Sequence, residues 1–358
     1  MARIAIGLCG EGRGHATRIA TLLERMPPGH DVRIFTWADA LDMLSRRFSG
    51  SDRMRIEEIP GLLFRYTSGR LDVPRTIAAG CEFWARQVAP LTRRLGESLR
   101  SFRADLVVTD FEPAIAGAAT RLGLPLVSID HQHFLLAYDL GSLPWALRWR
   151  AWFIGLAVRA YGMRPAETVI SAFFRPPLAA GWRHVLQVGP LLRREILAAA
   201  PTEGNHVVSY LRRHTPDTVV DALARCGLPV KIYGLGTREP VGNLSFHPFD
   251  ERSFVEDLAG CRALVSAAGN QLIGEALHLG KPMLLLPEKA HVEQLINSHF
   301  LTNMGAGDFC HLEEVSPGRL TRFMAGLDPF ARAATGYRGT MDGTPAVLDV
   351  LRRHVGGP

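Results

Sequence analysis

The chain has 358 residues, 47% of them hydrophobic, with 41 Lys and Arg against 35 Asp and Glu for a formal net charge of +6. That length is too great for one ordinary domain and comfortable for two, each able to bury a core of its own. The arginines are scattered and no nucleic-acid-binding motif accompanies them, so they read as solvated surface charge and disfavour nucleic acid as a partner. Cys9, Cys81, Cys226, Cys261 and Cys310 lie far apart without a CxxC pair, which argues against a disulfide framework or a zinc site and for a reducing cytoplasm. Residues 1–7 are apolar for too short a run to serve a signal peptide, and no run reaches the ~18 apolar residues a membrane-spanning helix needs.

Short apolar runs alternate with helical patterns along the whole chain. Strands are expected over 3–8, 31–36, 55–59, 106–109, 126–129 and 168–171, with helices over 16–25, 74–102 and 113–122. These make one doubly wound unit over 1–190, followed by a small, polar linker at 191–205. The cycle restarts over 206–344 with strands at 206–210, 230–233 and 244–246, a helix at 217–225, and apolar runs at 263–266 and 282–286. A last helix within 345–358 closes the chain. Strand and helix in alternation mean parallel sheets with right-handed crossovers, hence an α/β protein of two units with a cleft between their binding edges.

The first strand runs into Gly7-Leu8-Cys9-Gly10-Glu11-Gly12-Arg13-Gly14-His15. Glycines let the chain turn sharply and bring backbone N–H groups close to a ligand. Gly10, Gly12 and Gly14 are spaced by two, and no convincing ribose-binding acid ends the second strand, so a dinucleotide site for hydride transfer is a weak reading. His15 reads either as a base near neutral pKa or as an ordinary helix-start residue; Asp110, ending a strand, either orients it or makes an Asx turn before Pro113. His131-Gln132-His133 offers three readings: a metal pair, hydrogen bonding to a substrate, or a structural loop. No third ligand can be identified, so no metal is expected.

In the second unit, the run at 263–266 meets Ala267-Ala268-Gly269-Asn270-Gln271 and opens a helix carrying Glu275; the run at 282–286 ends in Pro287 and leads to His291-Val292-Glu293-Gln294. Ligands bind at such carboxyl-terminal strand edges. The unpaired N–H groups at the helix start suit a phosphate, Glu275 suits a diol such as ribose, and Glu293-Gln294 suit sugar hydroxyls. Ser209 could bond a phosphate and Arg212 or Arg213 neutralise one, while His247 and Phe249 read equally as base contacts or as packing under a loop. Segment 145–159 holds three of the six tryptophans with three arginines, and its large apolar residues recur at 145, 149, 152, 153 and 156. Two readings stand there: an interfacial helix for a lipid acceptor at the inner face of the membrane, or a core helix with snorkelling arginines. The 61–75 stretch reads as another acceptor-side loop.

The set Ser266-Ala267-Ala268-Gly269, Glu275-Ala276, Gly280-Lys281-Pro282, Pro287, Glu293-Gln294 and Asn297 resembles the donor-binding region of GT-B glycosyltransferases. The likeness is to inverting nucleotide-sugar enzymes, including UDP-glycosyltransferases and the N-acetylglucosaminyltransferase that makes lipid II. It implies two Rossmann-like domains facing a central cleft, the last helix crossing back to the first, and transfer from a UDP-sugar to a hydroxyl acceptor without cofactor or metal. It makes His15 the general base supported by Asp110, and puts Gly12, Gly14, Ser209, His247, Phe249, Ser266, Ala268, Gly269, Asn270, Gln271, Glu275, His291, Glu293 and Gln294 around the donor. Arg13, His131, Gln132 and His133 fall on the side of the acceptor, small molecule or lipid. The lipid II-forming relatives carry a glycine-rich loop after the first strand of the second domain, and residues 207–213 here contain no glycine. Neither an Asp-x-Asp motif nor the Glu-x7-Glu pattern of retaining enzymes is present, since Met283 stands where the second Glu would fall. A non-hydrolysing nucleotide-sugar epimerase and a non-catalytic nucleotide-sugar binder are the rival readings.

Overall fold

Two parallel sheets carry the chain in this computed structural model, which describes residues 1–355 apart from 64, 68–69, 162–163, 183 and 213–214. Arg213 of the expected phosphate loop and Phe64 of the 61–75 loop therefore lie outside the described residues. The first half runs β1 (Arg3–Leu8), α1 (Arg13–Arg25), β2 (Asp31–Thr36), α2 (Ala38–Arg47), β3 (Met54–Glu58), a hairpin of β4 (Tyr66–Thr67) and β5 (Arg70–Leu71), and α3 (Val73–Phe83). It continues with α4 (Ala89–Phe102), β6 (Leu106–Asp110), α5 (Pro113–Leu122), β7 (Leu126–Asp130), α6 (Phe134–Ala137), α7 (Trp145–Ala160), β8 (Glu167–Ser171) and β9 (Val185–Val188). After α8 (Arg194–Ala198), the second half runs β10 (Val207–Tyr210), α9 (Asp217–Ala224), β11 (Val230–Tyr233), β12 (Leu244–His247), α10 (Glu251–Gly260), β13 (Ala263–Ser266) and α11 (Asn270–His278). Then come β14 (Met283–Leu285), α12 (Val292–Asn303), β15 (Gly307–Phe309), α13 (Pro317–Ala325), α14 (Leu327–Thr335) and α15 (Thr344–Val355).

The first sheet has the order β3-β2-β1-β6-β7-β8-β9 and the second β12-β11-β10-β13-β14-β15. In each, the chain direction of growth reverses once, between β1 and β6 and between β10 and β13. At these switch points the strands end in step, Leu8 beside Asp110 and Tyr210 beside Ser266, and the loops leaving them diverge to open a crevice. The expected site residues after β1, β6 and β13 thus fall at the two positions the topology reserves for ligands.

Local chemistry sets the helix ends. In α5 the Glu112 carboxylate accepts from the N–H groups of Ala114 and Ile115 at 3.0 and 2.6 Å, Pro113 occupies the first turn, and Gly123 ends the helix at φ 65°. The long helix expected over 74–102 is interrupted by a π-helical turn at Trp84–Val88. Pro90 explains it: its ring has no N–H to give Arg86 and would press on that carbonyl in a regular helix.

The last helix returns to the first domain. Val347, Leu348, Val350 and Leu351 of α15 share a core with Ile4, Ile6 and Leu8 of β1 and with Ile19 and Leu22 of α1. The outgoing and returning segments cross at Gly189 and Gly343. A Cβ on Gly189 would stand 1.9 Å from the Met341 carbonyl oxygen and one on Gly343 2.1 Å from that of Gly189, so neither position accepts a side chain.

The structure bears on the core reading of α7. Leu147, Ala151, Gly155 and Val158 face inward, while Trp145, Trp149 and Trp152 are 74%, 61% and 56% exposed. The tryptophans are not core residues: the small side chains form the buried stripe and let α7 approach α6 closely, a Cβ on Gly155 lying 3.3 Å from Leu136.

Candidate active site

The loop after β1 is shaped by its glycines in two distinct ways. A Cβ on Gly10 would meet the Trp37 carbonyl oxygen at 2.1 Å, and Gly12 has φ 80° at the N-terminus of α1. Gly14 faces open space, so neither argument applies to it. This turn places His15 in the first turn of α1, over the end of β6. His15 Nδ1 lies 2.8 Å from Asp110 Oδ1. A carboxylate only accepts, so Nδ1 carries the proton and Nε2 keeps its lone pair, with the Gln132 amide nitrogen 3.4 Å away.

Arg18, one turn further along α1, donates from one nitrogen to both Asp110 oxygens at 2.7 Å. Arg18 and Asp110 are buried, the latter completely, which requires the pairing. Phe111, directly after Asp110, holds φ 60°, a strained conformation for a bulky residue.

After β7 the two expected histidines part company. His133 turns back on Asp130, its ring at 2.6 Å and its backbone N–H at 2.9 Å, while Ser128 donates to the same carboxylate. Burial opposes both charges, yet the pair prevails: Asp130 is held down to about 2 and His133 is raised by Asp130. His133 is therefore engaged with its own loop. His131 donates from Nδ1 to the Ser171 carbonyl at 3.2 Å, leaving buried Nε2 without a hydrogen bond, 3.8 Å from Glu293 Oε1 on the other domain. Burial depresses the His131 pKa, with Glu293 opposing. For Glu293 burial works against the charge, but His131, His291, His15 and Arg18 outweigh it and hold the pKa below the usual value. His15, Arg18, His131 and Glu293 thus form one electrostatic cluster spanning the cleft.

On the second domain the side chains are more occupied than their sequence positions suggest. The Asn270 side chain crosses to the first domain, accepting from Phe173 N and donating to the Ser171 carbonyl, both at 3.1 Å. Only the backbone of that turn, at the start of α11, is left for an anion. Glu275 is buried against Arg193 at 2.7 Å, with the Gln271 amide nitrogen 3.2 Å from its other oxygen. Ser209 lies within the sheet and donates to the Val265 carbonyl at 2.9 Å, and Ser266 to that of Tyr210 at 3.1 Å, so both hydroxyls knit the switch point. The Ala268 carbonyl accepts from Asn297 at 2.9 Å. His247 bonds Ser245 and stacks on Tyr233, and Phe249 packs on Tyr210 and Phe254 while Arg13 lies 4.1 Å over its ring. His291 caps α12, its pKa pushed by burial to about 4, and Gln294 accepts from the Glu288 N–H at 2.9 Å. Several buried polar atoms of this cleft have no protein partner: Gln132 Oε1, Gln271 Oε1, Gln294 Nε2 and Asn297 Oδ1 join His131 Nε2. Polar atoms so placed are costly unless a ligand or ordered water answers them.

Two buried arginines of this arrangement escaped the sequence reading. Arg18 had a signal, being three residues after His15 on the same helix face. Arg193 sits in the expected linker and had none, because its partner Glu275 is 82 residues away.

A family model described as glycosyl transferase family 1 matches residues 2–328. An uncharacterized glycosyltransferase of Methanosarcina acetivorans is 24% identical over 344 residues, covering 85% of this chain and 84% of the relative. Among solved structures, LpCGTa in complex with UDP superposes with a TM-score of 0.68 at 18% identity, covering 100% of each chain. MurG of Acinetobacter baumannii does so with 0.65 at 15%, covering 99% of this chain and 100% of that one.

Proposed function

The chain belongs to glycosyl transferase family 1, with the GT-B architecture, and from that premise we propose that it moves a sugar from a nucleoside diphosphate sugar to a hydroxyl acceptor with inversion. The observation that carries the reading is the His15–Asp110 contact at 2.8 Å, which leaves a lone pair on Nε2 at the cleft. The acceptor oxygen attacks the anomeric carbon, its proton passes to Nε2, and the sugar–phosphate bond breaks with its electron pair leaving on the diphosphate. Asp110 positions the ring and stabilises the imidazolium. The N–H groups opening α11 and the Arg193 guanidinium meet the charge on the diphosphate, in place of a metal or cofactor. Glu275 keeps lone pairs for the ribose beyond those used by Arg193 and Gln271, and Glu293 and Gln294 face the sugar. The neighbour solved with UDP supports a UDP-sugar donor.

The test is turnover of His15→Ala with a panel of UDP-sugars and acceptors, together with donor affinity by calorimetry. The expected result is a kcat lower by about 10²–10⁴-fold with donor affinity preserved, and no effect of EDTA on the wild type. An unimpaired variant removes His15 from the chemistry. Conversion of UDP-N-acetylglucosamine to an epimer without acceptor would establish the epimerase instead.

A further inference from the structure

Among the described residues thirteen large apolar side chains are exposed. Three of them, Met1, Leu197 and Val241, are scattered; the remaining ten all fall within 63–84 and 145–156 of the first domain. The two segments are contiguous in space, since Trp84 stacks on Tyr161, at the end of α7, with ring centroids 5.3 Å apart and planes 6° from parallel. On α7 the side chains opposite the buried stripe are Trp145, Trp149, Trp152, Phe153 and Leu156, so the helix is apolar on two faces, a pattern that an aqueous surface does not explain. Arg148 and Arg159 flank this outer face, Arg164 follows it, and no carboxylate occurs anywhere in 140–166.

We propose that this face docks on an anionic bilayer, with the tryptophans at the level of the headgroups and Arg148, Arg159 and Arg164 against lipid phosphates. The charge pattern selects the occupant: the acids of the 63–84 segment, Asp72 and Glu82, are already paired with Arg75 and Arg86, so a second copy would set the arginines of α7 against one another, whereas an anionic lipid surface supplies the counter-charge. From the docked face a row of rings leads inward. Tyr161, stacked on Trp84, lies 4.7 Å from Phe111, the strained residue next to Asp110. An acceptor carried by the bilayer therefore has an aromatic track to the His15 side of the cleft. The docking stands on exposure and charge; the track alone rests on the reading of His15 as the base.

The experiment is co-sedimentation of the full chain with vesicles of phosphatidylcholine, with and without phosphatidylglycerol, over a series of salt concentrations. Wild type should bind the anionic vesicles, less as salt rises, with a blue shift of its tryptophan fluorescence. Arg148→Gln and Arg159→Gln should each weaken the partition about fivefold, and Trp149→Ser with Trp152→Ser by at least as much. Because these side chains are exposed, the melting transitions of all variants should match wild type. Indifference of wild type to anionic vesicles at low salt overturns the proposal, as does vesicle binding that survives the tryptophan changes. A dimer in sedimentation equilibrium that dissociates on the same changes would assign the face to a second copy. His15→Ala should bind vesicles like wild type; full turnover in that variant with vesicle binding intact sinks the catalytic reading and leaves the docking standing.

Discussion

The Asp110 cluster and the Glu275 cluster are built alike and differ in one member. Each has a buried carboxylate near a switch point, Asp110 ending β6 and Glu275 within α11, and a buried arginine bonded to it at 2.7 Å, Arg18 in one and Arg193 in the other. The third member is His15 on the first domain and Gln271 on the second. An imidazole can take a proton and an amide cannot, so under the proposed function the same ion-paired support would serve proton transfer on one wall and holding on the other. Arg18 also competes with His15 for Asp110, so that carboxylate is not wholly devoted to the ring.

The largest test of this contrast is Asp110→Asn. It replaces the acceptor-only carboxylate by an amide that can also donate, so the His15 tautomer is no longer fixed, and kcat should fall by about 10²–10⁴-fold. It also strands the Arg18 charge, costing about 3–5 kcal/mol in a chemical melt. A rate within a few-fold of wild type would show that His15 needs no carboxylate.

Glu275→Gln should act differently, weakening nucleotide binding by roughly 1.5–3 kcal/mol in calorimetry while kcat at saturating donor changes little. If kcat falls as far as in Asp110→Asn, the division between the two walls is lost. A third buried carboxylate sharpens the comparison at smaller scale. Glu112 is met by two backbone N–H groups and by no arginine among the described residues, and burial pushes its pKa from 4.5 to about 7. Its folded pKa is the higher one, so the folded state binds more protons between these values. Stability should therefore fall by roughly 2 kcal/mol as pH rises from about 4.5 to about 7, and Glu112→Gln should flatten that dependence in urea melts. Parallel pH profiles for the two proteins would refute the assignment.

What the sequence made legible follows from where the energy lies. The central strands are apolar runs bounded by turn residues, and they stand within a residue or two of expectation. α2 buries only Ala40 and Leu44, too little for a pattern, and β15 is three residues containing an Asp that only pairing with β14 makes a strand. In α7 the stripe of large residues was readable but not its direction, because Leu147, Ala151, Gly155 and Val158 form a second, smaller stripe that fits closer to α6. At the site, the motifs located the turns correctly, whereas the commitments of Asn270 and Ser209 depend on partners that only the folded chain brings near, and His133 turns to Asp130 three residues before it.

The crossing at Gly189 and Gly343 gives the two domains a pair of tethers that meet at one place. A single peptide-bond cut in the segment between α8 and β10 would leave two polypeptides with no covalent link, held together by the non-covalent seating of α15 in the first core. The second tether is bonded only to the second domain and merely packed against the first, and because both connections pass through the same point it adds no second axis of constraint to their relative motion.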